Sequence, residues 1–384
     1  MSRARLVIGC MSGTSCDGVD AAVVLADGDA DARKTSIIAS GSVPLGEDGR
    51  RLRAISLGAE TTAAEICSLV GALTERHADA ISIALDRAER ALPQERVAVI
   101  ACHGQTLHHA GGLSWQVFNP APIARRFGVP VVHDLRAADL AGGGEGAPIT
   151  PTADAVLYAA HRPISIVNLG GFCNITHLGA RGTVSGRDVC SCNHLLDAAA
   201  SELLGLAFDD GGRAALRGAV DAGRAAAVAE RLAHTPAAPR SLGSGDEHQE
   251  FLECLGGLSP GDALATLADA IGRTIASDLG DATQAALAGG GARNAALVDA
   301  IIRHAPHCRI RLSDAFGVPI QAREAAAMGV LGLLSLEGIP ITLPGVMGVG
   351  SPPPVSGSWT LPPDGSWEVM SRPSSPRTVW TASE

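Results

Sequence analysis

The sequence predicts an α/β protein that uses one plan twice and leaves a cleft between the two copies. Three observations lead there. RLVIGCMSGTSCDGVDAAVV (5–24) is two apolar runs around a polar, glycine-bearing stretch, the pattern of a β-hairpin. ISIVNLGGFCNITHLG (164–179) repeats that plan in the second half, with a Gly-Gly corner in place of the longer loop. Between and after these hairpins, strand-like runs alternate with helical spacing, which favours parallel pairing and function at the carboxyl ends of strands.

Taken in order, residues 60–92 intermix Ala, Leu, Ile and charges at helical spacing. RVAVIACHG (96–104) reads as a buried strand that delivers His103 and Gln105 at its tip, and VPVVHDLRAADLAGG (129–143) repeats that form with Arg136 after it. AGGGEGAPITPTADAVLYAAHR (141–162) combines glycines, prolines and a helical pattern, placing a domain crossing near residue 150. Residues 262–279 read as a helix, and QAALAGGGARNAALVDAI (284–301) as a short strand, three glycines, Asn294 and a second helix. The expected organisation is a first lobe over 1–150, a second over 151–345, and a Pro- and Ser-rich tail over 346–384, surface-bound or disordered.

The totals set outer limits. The chain has 384 residues, 46% apolar but only 3% aromatic, so a large core must pack through small side chains. A net charge of -10 with no basic stripe excludes a general nucleic-acid binder. Nine cysteines at scattered spacing suit reduced thiols better than a disulfide framework. With no apolar stretch of spanning length and no signal-peptide pattern, the expectation is a cytoplasmic protein that binds no membrane.

Three glycine-bearing turns attract chemistry: Gly13–Gly18, Gly170-Gly171 and Gly289-Gly290-Gly291. Glycine lets backbone amides approach phosphate oxygens without a Cβ in the way, and Thr14-Ser15 adds hydroxyl donors. An acid such as Asp17 or Asp20 can hold Mg²⁺ through water. The third turn opens a helix beside Asn294, where amides favour anions. By itself, each turn fits an ordinary reversal at least as well. Neither GxxxxGK[ST] nor GxGxxG occurs, so no P-loop or Rossmann dinucleotide site is supported.

Five blocks then stand in order: MSGTSCDGVD (11–20), CHGQTLHH (102–109), HDLRAADLAGGGEGAPITP (133–151), VNLGGFCNIT (167–176) and GGGARN (289–294). Together they resemble the anhydro-N-acetylmuramic acid kinase family, from about residue 5 to residue 345. The family lies within the actin-like ATPase and sugar kinase superfamily. The resemblance implies a two-lobed, ribonuclease H-like fold whose hairpins grip ATP and Mg²⁺ in an interdomain cleft. It also implies a small-molecule sugar substrate and a possible homodimer. Water would open a 1,6-anhydro sugar while the freed O6 takes the γ-phosphoryl, giving N-acetylmuramate 6-phosphate for cell-wall recycling.

Residue by residue, the resemblance places Gly13, Thr14, Ser15, Cys16, Asp17, Gly18, Val19 and Asp20 at the nucleotide phosphates. Gly170, Gly171, Gly289, Gly290, Gly291 and Asn294 join them, and Asp17 is the candidate for water-mediated Mg²⁺. His103, Gln105 and Arg136 fall at substrate contacts, with Arg136 suited to a lactyl carboxylate through its guanidinium fork. Asp188, in VSGRDVCSCNHLLDA, takes the place of the catalytic base, and Glu324, in AREAAAMG, that of a second acid facing it. Without the family, Asp188 would read as a loop acid after a strand, and His108 and His109 as surface residues. The chain departs from the family's usual Asp-Thr-Gly-Pro-Gly-Asn at Val189, Cys190, Ser191 and Cys192, putting Cβ atoms where glycines are usual. That change keeps open a kinase for another carbohydrate, or a nucleotide-binding paralogue without activity. The Cys190-x-Cys192-x-His194 spacing offers only three ligands for a metal, which ranks below simple packing.

Overall fold

A computed structural model describes residues 4–29, 33–92, 96–110, 112–234, 245–343 and 354–363. The first half contains β1 (Arg5–Ser12), β2 (Gly18–Asp27), β3 (Lys34–Pro44), α1 (Gly46–Ser56), α2 (Ala63–Glu89) and β4 (Val97–His103). There follow β5 (Gln105–Ala110), β6 (Leu113–Val117), α3 (Ala121–Phe127), β7 (Val131–His133) and α4 (Ala137–Ala141). The chain then crosses through α5 (Thr150–Leu157) to β8 (Ile164–Leu169), β9 (Phe172–Leu178), β10 (Val184–Ser191) and α6 (Asn193–Leu204). The remaining elements are α7 (Ala222–His234), α8 (Gly245–Cys254), α9 (Pro260–Leu279), β11 (Gln284–Ala288), α10 (Ala295–His304), β12 (Arg309–Leu312), α11 (Arg323–Leu336) and β13 (Ser358–Thr360).

The strand orders carry the duplication. One sheet runs β13-β7-β4-β1-β2-β3 and the other β10-β9-β8-β11-β12. In both, the first three strands of the lobe form an antiparallel meander, the next strand pairs parallel with the first, and a further strand pairs parallel with that one. Parallel pairs require long crossovers, which α2 and α9 provide on the outer faces. This is the two-lobed α/β architecture anticipated from the hairpins.

Alternation along the strands sorts side chains into layers. On β1, Leu6, Ile8 and Cys10 face α1, α2 and α3, while Val7 faces inward. The inner layer holds α5 and α11 between the sheets, packed by residues such as Val99, Ile166, Ala286 and Leu331. Val167, Leu169 and Leu287 face outward to α6, α7, α9 and α10. The scarcity of aromatics finds its reason at β1 and α11. A Cβ built on Gly9 would stand 1.8 Å from the Ala325 carbonyl oxygen and 2.2 Å from the Gly329 nitrogen. The helix therefore rests on bare backbone, and although α11 belongs to the later half of the chain, it lies against the first sheet.

The tail differs from expectation in its middle. Ser358–Thr360 pairs antiparallel with β7, and Ser335 donates to the Ser356 carbonyl at 2.6 Å, so this stretch is ordered edge strand. Three residues are too few to show a period, which is why the strand was not legible between prolines. The rest of the tail, 346–353 and 364–384, lies outside the described residues.

Candidate active site in the interlobe cleft

Both hairpins open on one cleft of about 650 Å³, within the range of small-molecule sites. On the first lobe, the loop after β1 turns tightly: Cys16 N–H donates to the Gly13 carbonyl at 3.1 Å, and Ser15 Oγ to Asp17 Oδ1 at 2.8 Å. Gly13, Thr14, Ser15, Asp17, Gly18 and Asp20 all line the cleft. Cys16 does not. Its thiol is buried, and burial pushes it up to about 12, so it packs rather than reacts. Val19 is fully buried in the core of the first lobe. Gln105 is also wholly buried, with its amide donating to the Thr106 carbonyl at 3.3 Å, outside the cleft.

On the second lobe, three separated pieces converge. Cys192 and Asn193 donate backbone N–H groups to the carbonyls of Gly171 and Gly170, at 2.8 and 3.1 Å. Asn193 Nδ2 reaches the Leu169 carbonyl at 3.0 Å, and a Cβ on Gly291 would meet Asn193 Oδ1 at 2.6 Å. Gly289 adopts φ +82°, as glycine readily does. Gly170, Gly171, Gly289, Gly290, Gly291 and Asn294 thus form one wall facing the 13–18 loop.

A different set occupies the other end. His103, at the tip of β4, accepts Arg136 Nε–H on Nε2 at 3.2 Å. Burial drives His103 down to about 3, so the ring is neutral and its proton sits on Nδ1, which is buried without a partner. Arg136 also donates Nη1–H to the Gly146 carbonyl. Burial lowers its guanidinium to about 10, against the pull of Asp188, Asp139 and Glu324, and it stays charged at neutral pH. Gly146 is held from its other side by Asp139, whose Oδ2 accepts its N–H at 2.7 Å.

Asp188 lies within β10, opposite Asn174, at a bulge before Cys190, and not in a loop. Burial raises its carboxyl to about 6, with Arg136 opposing and Glu145 adding to the rise. Such a group changes charge within the physiological range, as a proton acceptor must. Glu324, in the first turn of α11, accepts Asn168 Nδ2–H at 3.2 Å and faces the same cleft. Asp20 stands near it on β2, raised by burial although Ser42 hydrogen-bonds to it.

A family model described as anhydro-N-acetylmuramic acid kinase matches residues 5–358. The chain belongs to this family. An anhydro-N-acetylmuramic acid kinase of Acidiphilium cryptum is 36% identical over 90% of this chain and 95% of its own length. One from Gluconobacter oxydans is also 36% identical, over 90% and 97%.

The departure from the family's usual glycines acquires a structural account. Cys190 and Cys192 are buried in the core of the second lobe, near Cys173. Burial raises Cys192 to about 12 and Cys190 well above its ordinary value, so both are protonated packing groups. Their Cβ atoms therefore point into the core. Sequence reasoning missed several cleft residues. His109 lines it, half-buried, with Nδ1 2.8 Å from Ser114 Oγ, and burial lowers it to about 4. His108 lines the cleft as well, although its side chain is exposed, so both histidines set aside as surface residues border the site. Asp197 lies one turn after Asn193 on α6, a spacing that was readable; burial raises it to about 6, with Arg53 opposing and Asp17 adding. Asn168 and Arg293, which lie inside two of the blocks quoted above, also line the cleft, as does Arg53, which lies outside all of them.

Proposed function

We propose that this cleft opens the ring of 1,6-anhydro-N-acetylmuramic acid with water and phosphorylates O6 from ATP. One observation carries the reading: the glycine turns of both lobes, Asp188 and Glu324 line one cavity. Asp188 takes a proton from water as its oxygen bonds to the anomeric carbon. The bond from that carbon to O6 breaks, and O6 accepts the γ-phosphoryl group. Arg136, held by His103 and Gly146, keeps donors free for the lactyl carboxylate. The amides at 13–18, 170–171 and 289–291 hold the phosphates, and closure of the lobes excludes bulk water. Purified protein with Mg-ATP and the anhydro sugar is expected to release ADP and N-acetylmuramate 6-phosphate together. No product from that sugar, under conditions where ATP binds, overturns the reading.

The cleft's charge supports the reading that a divalent cation accompanies ATP. Seven carboxylates and three guanidiniums line it, an excess of four negative charges when all are ionised. Asp17 and Asp20, hard oxygen donors beside the phosphate loop, suit a Mg²⁺ that keeps most of its water. When bound, Mg²⁺ would spread the charge that develops on the phosphates. Chelation with EDTA is expected to weaken ATP binding about tenfold or more, recoverable by Mg²⁺, as read by calorimetry.

Two glycines separate ligand from fold. Around Gly13 a Cβ would find only Ser15 Oγ at 3.7 Å, and around Gly290 only Asn193 Nδ2 at 3.7 Å. Neither position is a glycine for packing reasons. Gly13→Ala and Gly290→Ala are expected to melt within about 1 kcal/mol of the parent. Both should raise the KM for ATP about tenfold, because the new methyl stands where phosphate must approach.

A further inference from the structure

A wholly buried ion pair lies beneath the cleft. Arg323 is 1% exposed and Asp154 not at all. Arg323 donates Nε–H to Asp154 Oδ1 at 3.1 Å and Nη2–H to Oδ2, and Nη2 also reaches Thr150 Oγ1 at 3.3 Å. Thr176 Oγ1 is the third donor to the Asp154 carboxylate, reaching Oδ2 at 3.0 Å. Burial works against the guanidinium's charge, but Asp154, with Tyr158 and Glu324, outweighs it, and Arg323 stands above its ordinary range.

Buried pairs of this kind contribute little net stability compared with well-packed apolar residues. What the fork does supply is directional geometry, and here it joins the elements that carry the two acids of the site. Arg323 immediately precedes Glu324 in the first turn of α11. Thr176, on β9, pairs with Gly186 on β10, two residues before Asp188. Asp154 belongs to α5, the helix on which the chain crosses between lobes, and Thr150 at its start lines the cleft. A single polar knot therefore ties the end of α11 to the hairpin bearing Asp188.

We propose that Asp154 and Arg323 are positioning residues for the reaction, fixing Glu324 and Asp188 relative to each other across the cleft. The proposal rests on the reading of the cleft given above. It predicts a separation of stability from turnover. The double variant Asp154→Leu with Arg323→Met removes both charges and leaves no buried ion unpaired. It is expected to fold with a melting temperature near the parent's, and with a KM for ATP within about twofold. Its kcat on the anhydro sugar should nonetheless fall about tenfold or more, as misplaced groups do. Amide hydrogen exchange should quicken at 322–325 and 186–190 together. A stably folded double variant with kcat within about twofold of the parent overturns the proposal. Should the parent itself turn over no anhydro sugar, the functional reading fails separately, and exchange decides: unchanged rates at both segments overturn the positioning role. Should the double variant not fold, Arg323→Lys serves, since it keeps the charge and loses the fork. A severalfold loss of kcat supports the proposal, and parental kcat overturns it.

Discussion

Asp188→Asn is expected to abolish turnover while leaving the nucleotide bound. The amide keeps the shape of the carboxylate but cannot accept a proton, and loss of a positioned base lowers rates about 10²- to 10⁴-fold. Single-turnover assays on the anhydro sugar, with ATP affinity measured separately, read the two effects apart. Retention of more than about a tenth of the activity would move the proton transfer to another acid, Glu324 first. The pH dependence follows from the same residue. Its carboxyl is raised to about 6, so the base is ionised above that value, and kcat/KM should fall as pH drops through it. Arg136 opposes the rise, so Arg136→Gln should carry the acid limb to higher pH.

Stability should run the other way. A carboxyl whose folded pKa exceeds its unfolded value near 4 holds its proton more tightly when folded. The stabilisation is full below the unfolded value and is lost as pH rises through about 6. Asparagine never ionises, so Asp188→Asn should melt above the parent at pH 8, by up to about 2 kcal/mol after solvent screening is discounted. At pH 4 the two should nearly coincide. A more stable and inactive variant is what a strained functional acid leaves behind when removed.

The parts of this fold that were legible are those in which neighbours in sequence are neighbours in space. Each hairpin is local, so apolar runs flanking glycine turns announced β1 with β2 and β8 with β9, and their recurrence announced the duplication. Family motifs marked Asp188, Arg136 and Glu324, but their geometry was not in the string. Arg136 meets His103 across 33 residues, Glu324 meets Asn168 across 156, and Arg323 meets Asp154 across 169. No periodicity reports such pairs. The Cys190 and Cys192 side chains were ambiguous for a related reason. A strand places alternate side chains on opposite faces, and which face is buried depends on the helices of the second lobe. His109 fell to the same ambiguity, decided by a ribbon that pairs it with Ser114.

Gly9→Ala is expected to be the most damaging small substitution in the described chain. Overpacking a core usually costs about 1–3 kcal/mol, because side chains rotate or shift aside. Here the atoms in the way are the Ala325 carbonyl oxygen at 1.8 Å and the Gly329 nitrogen at 2.2 Å, both backbone. They can yield only if α11 lifts from β1. A loss of about 3 kcal/mol or more follows, or about 4 °C or more in melting temperature for a chain of this size. The converse change, Gly329→Ala, brings its methyl no nearer than 3.0 Å to Gly9 and should be milder. The injury also reaches the chemistry. Because Glu324 opens α11, lifting the helix draws its carboxylate from Asn168 and out of register with Asp188. Folded Gly9→Ala protein should therefore show reduced kcat at temperatures well below its melt, which Gly329→Ala should largely spare. If Gly9→Ala melts within about 1 °C of the parent, α11 does not lie directly on β1, and the placement of Glu324 falls with it.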